Sequence, residues 1–186
     1  MGRKLKTWSP DYFYHVVSRG NRREPLFLSS DDFEAFLYIL LQTYEKFPFE
    51  ITSYCLMTNH YHIQIRTEEF SISKVMSIVN KRYANYFNNK YKQSGHVFEK
   101  RYFDQVILGP VGMYEVSRYI HMNPVRAHIV ERPEDYPWSS YRFYFNPKLE
   151  APAYLKVEVL INSVIDSFKG SYQKVSAAEF LPPGFI

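Results

Sequence analysis

The chain has 186 residues, of which 46% are hydrophobic and 23% are charged, and this suits one large domain or one domain with an extension. Its single cysteine, Cys55, excludes an intrachain disulfide and a thiolate zinc cluster, and it indicates a reducing compartment. Without an apolar leader or an apolar stretch of ~20 residues, the chain is expected to be cytoplasmic, with no membrane span. The net charge of +4 lies before residue 127, since residues 127–186 carry 6 basic and 7 acidic side chains, and it suggests a polyanion partner.

The predicted elements follow from side-chain periodicity and from turn residues. Alternating, β-branched and aromatic runs predict four strands: Tyr12–Ser18, Ile51–Met57, His60–Arg66 and Tyr102–Leu108. Apolar residues at helical spacing predict three helices: one that starts at Ser29–Asp32 and reaches Tyr44, then Ser71–Asn89 and Val111–Met122. Thr58 and Asn59 form a tight turn between the second and third strands, because Asn tolerates positive φ.

The order β-α-β-β-α-β-α indicates the fold, because its first six members match a ferredoxin-like split β-α-β sandwich. This α+β fold has an antiparallel sheet with helices on one face, and it leaves the other face open. After Pro124 the pattern weakens: Tyr136–Tyr141 is interpreted as ordered loop, residues 153–168 as containing a helix, and Leu181–Ile186 as an irregular tail.

His60 and His62 are candidate metal ligands. Strand alternation puts both imidazoles on the polar face with Gln64 and Arg66, about 7 Å apart at Cβ, while Tyr61 points into the core. Two histidines at this separation can close on one ion. The same spacing is also compatible with two exposed or hydrogen-bonded histidines on a strand.

Tyr119 is a further candidate site residue, on the third helix. Glu115, Tyr119 and Asn123 follow one another at steps of four and therefore share a helix face. The apolar positions of this helix lie about a quarter-turn away, so the core contacts can be made without Tyr119. The alternative is an aromatic ring that fills a groove beside the sheet.

Five stretches resemble the single-tyrosine HUH transposases, in particular the REP-associated tyrosine transposases. In chain order they are Tyr14–Asn21, Met57–His62, Gly95–Tyr102, Tyr119–Ala127 and Tyr136–Tyr141. The specific signature is His-x-His after a hairpin Asn, with Tyr-x-x-x-Asn-Pro downstream. The resemblance implies a transposase domain over residues 1–145 and a C-terminal extension over residues 146–186.

The resemblance also implies the roles of the site residues. His60 and His62 match the metal ligands of the family, Tyr119 matches the nucleophile, and Asn123 falls where relatives place a third, amide-bearing ligand. The cofactor is then Mg²⁺ or Mn²⁺, and two imidazoles with an amide suit Mn²⁺ better. Asn123 is shorter than the Gln of some relatives, which leaves Glu115, Gln64 or water as alternatives. A second departure, Tyr61 in place of the usual aliphatic residue, is tolerable on the core face.

The activity that this resemblance implies is metal-dependent nicking of single-stranded, hairpin-containing DNA. The tyrosine attacks the phosphorus, retains the 5′ phosphate as a phosphotyrosine and frees a 3′ hydroxyl, so that strand transfer during DNA transposition needs no nucleotide hydrolysis. One alternative is a domesticated protein that binds DNA hairpins without cleaving them. Another is a metal-dependent phosphodiesterase on RNA or small substrates, in which water attacks. Both a homodimer and a monomer are compatible with the sequence.

The candidate DNA contacts lie in the basic loop after the first strand, just before the last strand, and just past Asn123: Arg19, Asn21, Arg22, Arg23, Lys100, Arg101 and Arg126. Each is also compatible with a solvated surface, and Arg126 with a pair to Glu131 or Glu134. A solvated helix face is the interpretation of Lys74, Lys81 and Arg82, and a core position that of Trp138. The remaining histidines are interpreted as structural or surface residues: His15, His96, His121 and His128.

Overall fold

The computed structural model describes residues 8–169, and the predicted tail at Leu181–Ile186 lies outside them. Within this range the strands are β1 (Phe13–Arg19), β2 (Glu50–Met57), β3 (His60–Arg66) and β4 (Phe103–Ile107). The helices are α1 (Ser30–Tyr44), α2 (Ile72–Tyr91), α3 (Gly109–His121), α4 (Asn123–Arg126), α5 (Tyr141–Phe145) and α6 (Val157–Lys169). Short 3-10 turns cover Asn21–Arg23 and Pro133–Asp135.

The four strands form one sheet in the order β2-β3-β1-β4, and every neighbouring pair is antiparallel. This order confirms the ferredoxin-like α+β fold. The two-residue turn at Thr58 and Asn59 is also confirmed, since β2 ends at Met57 and β3 begins at His60. Because β1 lies between β3 and β4, the polar residues of all three strands can meet on one face.

The helices α1 and α2 pack on one sheet face and bury its aliphatic and aromatic residues. Tyr61 is fully buried there against Phe36, with 4.7 Å between the ring centroids. Its hydroxyl donates to Asn80 Oδ1 of α2 at 2.6 Å, so the polar end of this ring is satisfied inside the core. The prediction that Tyr61 points into the core is therefore confirmed.

The second sheet face is partly covered, where the sequence predicted an open face. α3 contacts β2 and β3, and α6 packs on α3 and β2. The physical reason is that this face also carries apolar side chains, and Phe13, Cys55 and Met57 are all buried beneath these helices. The side chains of His15 and His62 line a cleft on this face beside α3.

The segment at Tyr136–Tyr141 is an ordered loop that covers the outer edge of β2. The Leu56 amide donates to the Trp138 carbonyl at 3.0 Å, and the Tyr54 amide donates to Ser140 Oγ at 2.8 Å. These bonds satisfy an edge strand that would otherwise expose unpaired backbone groups. Trp138 stacks on Phe33 with 4.5 Å between the ring centroids, which agrees with its interpretation as a core residue.

Candidate active site

A cleft of about 610 Å³ opens between the sheet and α3. His62 of β3 and Tyr119 of α3 both line it, so the structure brings the candidate metal site and the candidate nucleophile together. The cleft is also lined by three cations and two carboxylates: Arg19, Lys100, Arg101, Glu99 and Glu115. The cations outnumber the carboxylates, so the lining has a net positive charge that favours the approach of a phosphodiester.

His60 and His62 lie side by side on β3, as the strand alternation predicts. Their ring centroids are 5.0 Å apart and the rings are nearly perpendicular. His60 is half-buried, whereas His62 is only 4% exposed. Among the described residues, His62 Nε2 has no hydrogen-bond partner despite its burial. A buried imidazole nitrogen without a protein partner fits the role of a metal ligand.

Tyr119 stands on the exposed side of α3 and faces the histidines. Its side chain is 41% exposed, and its ring lies edge-on to His62 with 5.5 Å between the centroids. The guanidinium of Arg126 lies over the same ring, 5.2 Å from the centroid. This position fits a reactive phenol better than a groove-filling aromatic residue, because a buried filler would have lost most of its exposure.

His15 belongs to this cluster, although the sequence interpretation left it as a structural or surface residue. Its Nε2 lies 2.9 Å from His62 Nδ1, and the two rings stack with centroids 5.1 Å apart. The ring of Tyr119 approaches His15 edge-on at 5.8 Å. The shared face was predictable, because β1 pairs with β3 in the ferredoxin-like order and strand alternation puts His15 opposite the buried Tyr14 and Val16. The contact with His62 itself depends on the register of the two strands.

The three histidines are held in their neutral form. Burial, with smaller contributions from the neighbouring His60, His15 and Arg19, lowers the pKa of His62 to about 3. Burial, with a smaller contribution from Arg19, lowers the pKa of His60 to about 4, and burial lowers that of His15 to about 4. Neutral imidazole is the form that ligates a metal, so these groups are ready to bind one at neutral pH.

The residues fit a metal held by two imidazoles, but the structure singles out no third protein ligand. Within residues 8–169, no three His, Cys, Asp or Glu side chains are placed to hold an ion together. Asn123 begins α4 beyond the end of α3, and its amide nitrogen donates to the Tyr119 carbonyl at 2.8 Å. Gln64 is buried, with its Oε1 unpaired among these residues, and Glu115 lines the cleft. Asn123 as third ligand stays a prediction.

The predicted DNA contacts fall into two groups. Arg19, Lys100 and Arg101 line the cleft. Arg126 stacks on Tyr119 and forms no ion pair with a carboxylate of residues 8–169. The others lie outside the cleft lining, in or beside the turn that follows β1: Asn21, Arg22 and Arg23. Arg22 and Arg23 have φ of 52° and 65°, so they project from a strained turn at the surface.

A second groove, of about 750 Å³, adjoins the cleft and was not predicted. It lies between α2 and residues 95–102 and shares its Glu99, Lys100 and Arg101 with the cleft. Lys74 and Lys81 of α2 also line it, although their sequence interpretation was a solvated face. One carboxylate among four cations makes this groove a positive continuation of the cleft.

Comparisons with known proteins agree with this architecture. A family model described as Transposase IS200 like matches residues 9–123. The chain is 25% identical over 142 residues to a Haemophilus influenzae protein named as a REP-associated tyrosine transposase. The aligned region covers 70% of this chain and 78% of that relative. A solved structure of a REP-associated tyrosine transposase bound to a REP hairpin has a TM-score of 0.67 at 17% identity, over 84% of this chain and 93% of that one. The structural likeness shows a shared fold.

Proposed function

Because this chain belongs to the family of IS200-like transposases and has a transposase-type function on DNA, we propose that Tyr119 is its nucleophile and single-stranded DNA its substrate. The observation that carries this proposal is the position of Tyr119, which is 41% exposed in a cationic cleft with its ring 5.5 Å from that of His62. The helix α3, which carries Tyr119, packs on β2 and β3 of the same chain, and this packing supports a site assembled in cis. A single protomer would then contain the whole reaction centre.

The proposed reaction is a transesterification at one phosphodiester. The Tyr119 oxygen forms a bond to phosphorus and loses its proton to water, while the bond from phosphorus to the 3′ oxygen breaks. The 3′ oxygen takes up a proton and leaves as a hydroxyl, and the 5′ phosphate stays on the tyrosine. One phosphoester replaces another, so a later attack by a 3′ hydroxyl can reverse the step and join strands.

The side chains around Tyr119 would stabilise the negative charge that develops in the transition state of this reaction. A tyrosine hydroxyl in water has a pKa of about 10, so it is a poor nucleophile at neutral pH. The Arg126 guanidinium over the ring adds positive charge beside the reacting group, and Arg19 and Arg101 in the cleft would meet the phosphate. A divalent ion held by His60 and His62, Mg²⁺ or Mn²⁺, would polarise the scissile phosphate.

Hairpin-containing DNA is the proposed substrate, because the structural relative is bound to a REP hairpin. The cleft and the adjoining groove provide a continuous positive path across Lys100 and Arg101. This path suits a single strand that extends from the scissile phosphate, since backbone contacts to a strand are mainly electrostatic.

None of the helices within residues 8–169 has the length and hydropathy that a membrane span requires.

The test is adduct formation by the purified chain with Mn²⁺ and a hairpin oligonucleotide carrying single-stranded flanks. We expect a nicked strand and a protein–DNA adduct that survives denaturation. Tyr119→Phe should abolish both products, because the variant lacks only the attacking oxygen. Tyr12→Phe is the matched control, since Tyr12 is 42% exposed, close to the 41% of Tyr119.

The outcomes separate the alternatives. Cleavage and adduct that persist in Tyr119→Phe contradict the assigned nucleophile. Binding without any metal-dependent adduct would instead identify a hairpin-binding protein without cleavage activity. Cleavage without an adduct would identify a phosphodiesterase that uses water.

A further inference from the structure

Each of the two candidate ligand histidines has its Nδ1 atom engaged by another side chain. His60 Nδ1 lies 2.8 Å from Asn59 Oδ1, and His62 Nδ1 lies 2.9 Å from His15 Nε2. In both rings this leaves Nε2 as the nitrogen that can meet an ion. The two histidines are therefore held in the same way by different neighbours.

The orientation of Asn59 determines which nitrogen of His60 carries the proton. Asn59 Nδ2 donates to the Arg23 carbonyl at 3.0 Å, and a carbonyl can only accept. The amide is thereby oriented with Oδ1 toward His60. Since Oδ1 also only accepts, the proton must lie on His60 Nδ1, and Nε2 carries a lone pair.

The same reasoning applies to His62, with an imidazole in place of the amide. His62 is 4% exposed, and its Nε2 lacks a hydrogen-bond partner among the described residues. A proton on Nε2 would leave a buried donor unpaired. A proton on Nδ1 is donated to His15 instead, and Nε2 then presents a lone pair that a cation satisfies.

We propose that His15 is a positioning residue for the metal site. By accepting the Nδ1 proton of His62, it holds this ring in the tautomer and orientation that direct Nε2 at a divalent cation, as Asn59 does for His60. His15 acts through His62 rather than as a ligand. This inference rests on the proposed metal site, and its tests are chosen to separate the two.

Three substitutions of His15 test whether His62 needs a hydrogen-bond acceptor at the position of His15 Nε2 or only a side chain that fills the same space. In His15→Gln, the amide oxygen is as many bonds from Cα as the imidazole Nε2, so the acceptor is kept. In His15→Asn the acceptor is one bond too short to reach His62. In His15→Phe the ring shape remains and the acceptor is lost. Gln and Asn therefore form a matched pair with the same functional group.

The first measurement is the tautomer of His62 in the metal-free full chain, read from the ring ¹⁵N chemical shifts. We expect the proton on Nδ1 in the wild type and in His15→Gln, and a mixture of tautomers in His15→Asn and His15→Phe. The second measurement is calorimetric titration with Mn²⁺ alone. We expect His15→Asn and His15→Phe to weaken Mn²⁺ binding about 10–100-fold, and His15→Gln to stay close to the wild type.

Thermal unfolding midpoints close to that of the wild type show that weaker binding does not come from a loss of fold. A wild-type His62 protonated on Nε2 would overturn the inference. Mn²⁺ affinity that is unchanged in both His15→Asn and His15→Phe would overturn it as well, while leaving the proposed metal site intact. If the wild type binds no Mn²⁺, the metal site itself is wrong, and the role of His15 falls with it.

Discussion

Asp32 should contribute more to stability than the exposed carboxylates, because it joins the two helices that cover the sheet. Its side chain is fully buried at the start of α1 and accepts from the amides of Leu28 and Ser29 at 2.8 and 2.9 Å. Three side chains of α2 donate to the same carboxylate at 2.7–3.0 Å: Tyr86, Lys90 and Tyr91. Asp32→Asn tests this network with little change in volume.

The magnitude follows from the pKa of Asp32. Burial of the carboxylate opposes ionisation, but hydrogen bonds from Lys90, Tyr91 and the two amides outweigh it and lower the pKa from 3.8 to about 2. A shift of this size corresponds to about 2–3 kcal/mol in favour of the ionised, folded protein. In Asp32→Asn the amide NH₂ also faces donors, so we expect the free energy of unfolding to fall by about 2–4 kcal/mol.

The assay is urea unfolding of wild type and variant, followed by circular dichroism at pH 7 and at lower pH. Because folding lowers the pKa of Asp32, its contribution is complete above about pH 4 and disappears as the pH falls towards about 2. The difference between wild type and Asp32→Asn should shrink over the same window.

The matched control is Asp31→Asn, since the Asp31 side chain is 72% exposed and lies 3.4 Å from Lys90. We expect this variant to change the free energy of unfolding by less than about 0.5 kcal/mol. Equal losses in Asp31→Asn and Asp32→Asn, or a loss in Asp32→Asn that persists unchanged to pH 2, would refute the reasoning.

Two further predictions concern the candidate active site and the adjoining groove. Replacing both Lys74 and Lys81 with Gln should reduce the slope of log affinity for single-stranded DNA against log salt concentration by about 1.4, whereas Lys148→Gln should leave it unchanged. A slope equal to that of the wild type would remove the groove from the DNA path. Arg126→Gln should slow adduct formation at saturating DNA about 10–100-fold, because the cation over the Tyr119 ring is lost. A wild-type rate in this variant would show that Arg126 does not assist the reaction.

The spacing of side chains along the chain was sufficient to predict the four strands, the longer helices and the shared face of His60 and His62. Strand alternation has a period of two, so placing His60 and His62 on one face needs only the strand itself. The same holds for Tyr61, whose burial follows from its opposite parity. The resemblance to a family added Tyr119, and the structure places this residue beside His62.

The sequence alone determined the four strands, the helices α1, α2, α3 and α6, the ferredoxin-like order and the shared face of His60 and His62, because these depend on residues close together along the chain. Only the tertiary structure decided which distant residues meet there. The contact between His15 and His62 spans 47 positions, and it depends on the register of β1 against β3. The partial cover of the second face by α3 and α6, and the groove beside α2, depend on how separate elements pack, which no local periodicity specifies.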